Sequence, residues 1–137
     1  MKFSIVIPSF NDDRILETID SINVQNFDRR DIEIIVMDAC SDVVLLKKIE
    51  AVLRPWDKLN VEQDDGIFDG INRGILKSSG DIIFTLGSDD KLAYRDAVKD
   101  IIFQFQEHPI DFLCSDLIYT DHNWLPVRYW PATLPSF

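Results

Sequence analysis

The chain is poor in cysteine, histidine, glycine and positive charge, and each scarcity removes a class of function. Its 137 residues include two cysteines, Cys40 and Cys114. They form no CxxC pair, and with two histidines in the chain no Cys/His cluster follows zinc-ligand spacing. Two isolated thiols read as small, buried apolar side chains in a reducing compartment. His108 precedes a proline and His122 lies in an irregular tail, so neither stands near a nucleophile. The first apolar run is followed by PSFNDD, not GxGxxG, and no GxxxxGK[ST] occurs. That excludes the dinucleotide fingerprint and the P-loop. Lys and Arg number 14 against 24 Asp and Glu, a net charge of −10. Such a surface repels nucleic acid and anionic lipid. No apolar run approaches the ~18 residues of a membrane span. MKFSIVIPSF is short, is broken by Pro8 and lacks a cleavage site, so it reads as a strand rather than a leader. The expected location is the cytoplasm, with any membrane association peripheral.

The hydrophobic fraction is 46%, enough for one domain with a sizeable core. Phe3–Ile7 is a continuous apolar run and predicts a strand buried on both faces. Asn11 and Asp12 can cap the helix that carries Ile15, Ile19 and Ile22 on one stripe. Ile32–Met37 is a second buried strand, followed by a helix from about Val43 to Leu53. Asn60–Gln63 is a short third strand. Ile67–Ser78 is a helix with Ile67, Ile71 and Ile75 on the expected core face, and Gly80 sits where a left-handed C-cap belongs. Ile82–Leu86 is a fourth strand. Tyr94–Gln106 is a helix with Val98, Ile101, Ile102 and Phe105 inward. Ile110–Tyr119 contains a fifth strand. Strands alternating with helices predict an α/β fold: a mostly parallel sheet with helices on both faces. Residues 1–120 make this core. From Asp121 to Phe137 the period fails, and that stretch reads as the incomplete start of something further.

Ligands of open parallel sheets bind outside the carboxyl ends of the strands. Asp38 ends the second strand, Asp64 and Asp65 follow the third, and Asp89 and Asp90 follow the fourth. Gly66 and Gly87 stand beside these acids, where backbone can approach a ligand. Crowded carboxylates raise one another's pKa unless a cation joins them. Hard oxygen donors suit Mg²⁺ or Mn²⁺, which keep one or two protein carboxylates and take further ligands from phosphates. A metal-bridged diphosphate is the expected ligand. A receiver-like signalling domain also has acids at strand ends, but it needs a lysine after the last strand, and none is present.

SIVIPSFN at 4–11, EIIVMDACSD at 33–42 and EQDDGIFDGINRGILKSSGDIIFTLGSDD at 62–90 resemble, in order and spacing, the motifs of inverting family 2 glycosyltransferases of the GT-A fold. The resemblance implies a Rossmann-like GT-A core, truncated at its C-terminus, that binds a nucleoside-diphosphate sugar. Pro8, Ser9, Phe10 and Asn11 would line the base and ribose pocket, and Asp38 would bond the base, most often uracil. Asp64 and Gly66 would form the loop near base and diphosphate, with Asp69, Asn72 and Arg73 on the helix that begins there. Asp69 and Asn72 are expected as anchors of that loop. Asp89 would sit near ribose or sugar, and Asp90 would be the main ligand of Mn²⁺ or Mg²⁺. The acceptor would be a saccharide or a lipid-linked molecule.

The chain departs from the family pattern in two places. Where the family has glycine after the aspartate of strand two, this chain has Ala39, so that loop is expected to be rebuilt. No acid in 117–137 matches the family's catalytic base, and Asp116 and Asp121 are the only candidates. A donor-binding module without turnover is therefore the alternative reading. Trp124, Trp130 and Phe137 are expected to fold back on the body or to mediate oligomerisation.

Overall fold

A computed structural model describes residues 1–133. In chain order the elements are β1 (Phe3–Ser9), α1 (Ile15–Asn23), a 3-10 turn (Arg29–Asp31), β2 (Ile32–Asp38), α2 (Val43–Val52), β3 (Lys58–Val61), α3 (Ile67–Lys77), β4 (Ile82–Thr85), α4 (Ala97–Glu107), β5 (Leu117–Thr120) and β6 (Pro126–Trp130). The chain forms two compact units, one spanning Met1–Phe103 and one beginning at Gln104.

The first unit is built on a parallel sheet of order β3-β2-β1-β4. Every residue of β1 and β2 is buried, as continuous apolar runs require. Fully burying each of Ile5, Ile7, Ile34 and Ile35 contributes on the order of 1.5–3 kcal/mol. The chain steps β1 to β2 to β3 in one direction, then returns past β2 and β1 to β4. Right-handed crossovers therefore place α1 and α2 on one face and α3 on the other. α1 touches α2, and α3 lies on β1 and β2. β1 has β2 on one side and β4 on the other, which makes its carboxyl end the switch point of the sheet.

Several expectations are corrected. α3 does not face the sheet with its isoleucines: Ile67 is 58% and Ile75 38% exposed, whereas Gly70 and Gly74 are buried. A Cβ at Gly74 would collide with the side chains of Val6 and Met37, so the glycine stripe allows a closer helix–sheet approach than isoleucine would. Gly80 is not a left-handed cap: α3 ends at Lys77 with Ser78 as C-cap, and among the described residues Gly66 is the only glycine with positive φ. Gly80 is needed for space, since a Cβ there would lie 2.8 Å from the Ser4 nitrogen and 2.9 Å from the Lys2 carbonyl. β3 begins at Lys58, two residues early, and α4 begins at Ala97, three residues late. Both cysteines are exposed rather than buried, Cys40 in a loop and Cys114 in an extended stretch outside any element.

In the second unit the fifth strand does not join the parallel sheet. β5 pairs antiparallel with β6 as a separate hairpin, Leu117 opposite Trp130 and Tyr119 opposite Arg128. The tail after Asp121 is therefore not irregular throughout. Asp121 organises the turn, its Oδ1 accepting from the Asn123 and Leu125 nitrogens at 2.8 and 3.0 Å, and Trp124 takes φ 61°. Trp130 meets Tyr119 edge-on at 6.4 Å and lies under the Arg128 guanidinium at 4.5 Å, yet stays 46% exposed. Trp124 is half-buried, and Phe137 lies outside the described residues.

Candidate functional site

The ends of β1 and β2 are stitched together by polar contacts. Pro8 and Ser9 are buried in β1 and pair with Met37 and Asp38. The Ser9 carbonyl accepts from the Ala39 nitrogen at 2.9 Å, while its Oγ is buried with no partner. Asp38, 1% exposed, closes the loop after β2: Oδ1 accepts from the Ser41 nitrogen and Oδ2 from the Ser41 Oγ, both at 2.6 Å. Ser41 Oγ in turn accepts from the Asn11 nitrogen at 2.8 Å, and Asn11 Oδ1 accepts from the Asp42 nitrogen at 3.0 Å. Asn11, at φ 46°, thus bridges two loops instead of capping α1. In the loop after β2 the left-handed residue is Cys40, at φ 69°. Phe10 projects from this edge, 60% exposed.

The loop before α3 is a second cluster. Asp64 Oδ1 accepts from the Gly66 nitrogen at 3.0 Å, and Gly66 adopts φ 112°, a conformation that favours glycine. Asp69 reaches back to accept from the Asp65 nitrogen at 3.0 Å and pairs with Arg73 at 2.8 Å. The Asp65 amide, then the Arg73 guanidinium, hold the Asp69 carboxyl below the usual range. Arg73 also donates to the Gln63 carbonyl at 3.1 Å. Asp69 and Arg73 together tie loop to helix, whereas Asn72 is exposed.

The third cluster follows β4. The Asp90 nitrogen donates to the Gly87 carbonyl at 3.1 Å, closing a turn. The turn folds two carboxylates over the glycine: a Cβ at Gly87 would lie 2.7 Å from Asp90 Oδ2 and 3.0 Å from Asp89 Oδ1. Partial burial, then the Asp89 charge, push the Asp90 carboxyl above the usual range. Two residues that sequence reasoning treated otherwise or passed over adjoin the pair. Asp12, read as a helix cap, accepts from Ser88 Oγ at 3.5 Å. Arg14 pairs with Asp12 at 2.8 Å and approaches Asp89 at 3.9 Å. The Arg14 guanidinium holds Asp12 low.

Acids therefore leave three strands at one edge, but they do not converge on one point. Asp38 and Asp64 are committed to their own loops, and Asp89 and Asp90 meet over Gly87. Among the described residues no three acidic, histidine or cysteine side chains form a ready cation cage. In the second unit, Asp116 and Asp121 are engaged locally. Asp116 lies just before β5 and accepts from the Tyr129 hydroxyl and, at 2.8 Å, from the Ala132 nitrogen. Those two donors, Tyr129 first, hold its carboxyl below the usual range.

The model of Glycosyl transferase family 2 matches residues 4–133. The chain belongs to that family. It is 25% identical over 143 residues to the poly(ribitol-phosphate) beta-N-acetylglucosaminyltransferase TarS of Staphylococcus aureus, a match covering 99% of this chain and 24% of the relative. The structure of TarS 1–349 in complex with UDP-GlcNAc matches with a TM-score of 0.68 and 28% identity, over 79% of this chain and 32% of that one. A PGL/p-HBAD biosynthesis glycosyltransferase of Mycobacterium bovis is 30% identical over 128 residues, 89% of this chain and 49% of the relative. A mannosyltransferase of Pyrobaculum calidifontis, solved with GDP-Man and Mn²⁺, shares the fold with a TM-score of 0.69 at 18% identity, over 79% of this chain and 33% of that one. The chain thus spans about a quarter to a half of the length of the curated relatives it matches.

Set against family 2, the Asp89–Asp90 turn fits a hard divalent cation. Two carboxylates meet where a glycine leaves room, and one of them is destabilised as an anion, which a cation would reverse. With no third protein ligand among the described residues, phosphate oxygens and water would have to complete the shell.

Proposed function

We propose that the chain is the donor-binding part of an inverting, divalent-cation-dependent glycosyltransferase that uses a nucleoside-diphosphate sugar, with UDP-sugar the first choice. The observation that carries this reading is the pair of carboxylates over Gly87, beside the switch point at the end of β1. Likeness to a relative solved with UDP-GlcNAc supports the choice of donor. Asp90 and Asp89 would hold Mn²⁺ or Mg²⁺, which when bound offsets the charge of the departing diphosphate. Phe10 offers a face for the base, and the unpartnered Ser9 Oγ offers a polar contact at the same edge. Asp38 acts through Ser41 and Asn11, keeping the loops in register, and Asp64 with Gly66 shapes the far wall. In the transfer itself, an acceptor hydroxyl forms a bond to the anomeric carbon as the bond to the diphosphate oxygen breaks. Its proton goes to a general base. A saccharide or lipid-linked acceptor and a cytoplasmic site of action, with any membrane contact peripheral, complete the proposal. No helix of the described residues is long and apolar enough to cross a membrane.

The test is thermal unfolding with about millimolar Mn²⁺ plus UDP, GDP or dTDP. A ligand present at about 100 times its Kd adds about 2.7 kcal/mol to the native state. A melting temperature unmoved by every pair refutes the reading. Engagement of Asp116 by Tyr129 and Ala132 favours a second reading, donor binding without turnover. Sustained donor hydrolysis or transfer by this chain, abolished in Asp90→Ala, would exclude it.

A further inference from the structure

α1 and the turn that follows it carry a buried polar rail beside the isoleucine stripe. Thr18, Ser21 and Gln25 recur at helical spacing and are 0%, 7% and 8% exposed. All three grip the segment between β4 and α4. Thr18 Oγ1 donates toward the Asp90 carbonyl at 2.5 Å and the Ser88 carbonyl at 3.0 Å. Ser21 Oγ accepts from the Leu92 nitrogen at 3.1 Å. Gln25 Nε2 donates to the Tyr94 carbonyl at 2.9 Å, and its Oε1 accepts from the Val98 nitrogen at 3.1 Å.

The rungs differ in what they hold. Gln25 serves the approach to α4 and its first turn. Of the three, Thr18 is the one that reaches Ser88 and Asp90. Residues 86–96 belong to no helix or strand, so the shape of this turn rests on a few contacts. Within the loop the turn bond from Asp90 to Gly87 is the local restraint, and the Ser88 to Asp12 contact is long at 3.5 Å. A threonine in a helix can turn its hydroxyl back to the carbonyl four residues earlier. Here that oxygen, of Arg14, is 3.3 Å away, whereas the Asp90 carbonyl is at 2.5 Å. The one hydroxyl proton therefore goes to the loop. The β-branch stiffens χ1 and fixes its direction.

We infer that Thr18 is the positioning residue of the Asp89–Asp90 pair: by holding the Asp90 and Ser88 carbonyls from inside the core, it sets how the two carboxylates meet over Gly87. The inference rests on the reading of that pair as the cation site, and its test has an arm that does not. Thr18→Val removes the donor and keeps the shape, Thr18→Ser restores the donor, and Gln25→Leu breaks the far rung as a matched control. The first measurement is amide hydrogen exchange at Asp90 and Leu92 without metal. The second is Mn²⁺ affinity in the presence of UDP, from the electron paramagnetic resonance signal of free Mn²⁺.

With T18V, exchange at Asp90 accelerates, and Mn²⁺ binding weakens about tenfold, the equivalent of one net hydrogen bond. Thr18→Ser recovers both, and Gln25→Leu lowers the melting temperature while leaving Mn²⁺ affinity in place. Unchanged exchange at Asp90 in T18V overturns the inference, and so does equal weakening of Mn²⁺ by Gln25→Leu. If the unaltered chain binds no Mn²⁺ with UDP, the functional reading fails and the exchange arm alone decides the role of Thr18. Should T18V not fold, Thr18→Ala removes the same donor without setting a methyl against the carbonyls.

Discussion

Glu33 offers the clearest quantitative test of how the sheet is held. It is 1% exposed, near the start of β2. Its Oε1 accepts from Ser4 Oγ at 2.6 Å, the Ser79 nitrogen at 2.5 Å and Ser79 Oγ at 2.9 Å. The ammonium groups of Lys2 and Lys58 stand 3.5 and 3.4 Å from Oε2. Burial pushes this carboxyl up, but the serine and amide donors, with the Lys58 charge, outweigh it and bring it from 4.5 to about 2. That gap of roughly 2.5 units corresponds to about 3 kcal/mol of native-state stability. The folded pKa is depressed, so the contribution is complete above about pH 5 and fades as pH falls from about 4.5 towards about 2. Glu33→Gln keeps the shape and removes the charge. Urea unfolding of both chains should show a difference of about 3 kcal/mol at neutral pH that closes across this window. Acids common to both chains cancel in that difference. A gap that stays constant from neutral pH to about pH 3 would mean that glutamine fails for reasons of packing, and the electrostatic account would be wrong.

Asp90→Asn should raise the melting temperature of the metal-free chain, because it removes a partly buried charge beside Asp89, and should abolish the shift given by Mn²⁺ plus UDP; a lower metal-free melting temperature would contradict it. Because the Asp90 carboxyl is raised, its protonation competes with the cation at a higher pH than an ordinary aspartate would allow, so titration of Mn²⁺ affinity with pH should show binding lost on acidification from above the usual carboxylate range. Gly87→Ala places a methyl 2.7 Å from Asp90 Oδ2 and should weaken Mn²⁺ binding about tenfold or more, as expected when metal-ligand geometry is disturbed; calorimetry showing unchanged affinity would refute the carboxylate cradle. Gly74→Ala should destabilise by about 1–3 kcal/mol through overpacking against Val6 and Met37, and an unchanged urea midpoint would show that α3 has room to move.

The sequence was most legible where one force dominates. β1 and β2 are apolar but for Ser4, Ser9, Glu33 and Asp38, and their burial on both faces leaves little freedom of assignment. α3 was misread because two stripes share its period: Ile67, Ile71 and Ile75 promise apolar area, while Gly70 and Gly74 promise close approach. Against β1 and β2 the close approach prevailed. The fifth strand was found without its partner, because Pro126 and the tryptophans around it conceal the alternation of β6. The acids were legible from the strand-end rule, since a carboxylate after a buried strand has few other places to go. Their supports were not. Thr18 and Ser21 are polar residues on a helix and Gln25 lies just past its end, and next to Ile15, Ile19 and Ile22 they look like the solvent side. Only their period, running alongside the isoleucine stripe, signals a wider inward face. Asp12 looked like a cap, because a cap and a neighbour of an acid cluster have the same sequence.

The two ends of the parallel sheet follow opposite electrostatic logic. At the amino end Glu33 is deeply buried, and its charge is answered by three hydrogen-bond donors and two lysines, so the anion is favoured. At the carboxyl end Asp90 is less buried, and its anion is disfavoured by partial burial and by the charge of Asp89. The Arg14 guanidinium lowers the Asp90 carboxyl by less than those two raise it; it pairs with Asp12 at 2.8 Å and stands 3.9 Å from Asp89. A fold selected only for stability would treat both ends alike. The amino end neutralises its acid internally. The carboxyl end leaves repulsion in place, and a divalent ion carrying a diphosphate would remove it. On the proposed function, the net charge of −10 would be no obstacle to an anionic ligand, since such a ligand would arrive with a cation that the paired acids attract.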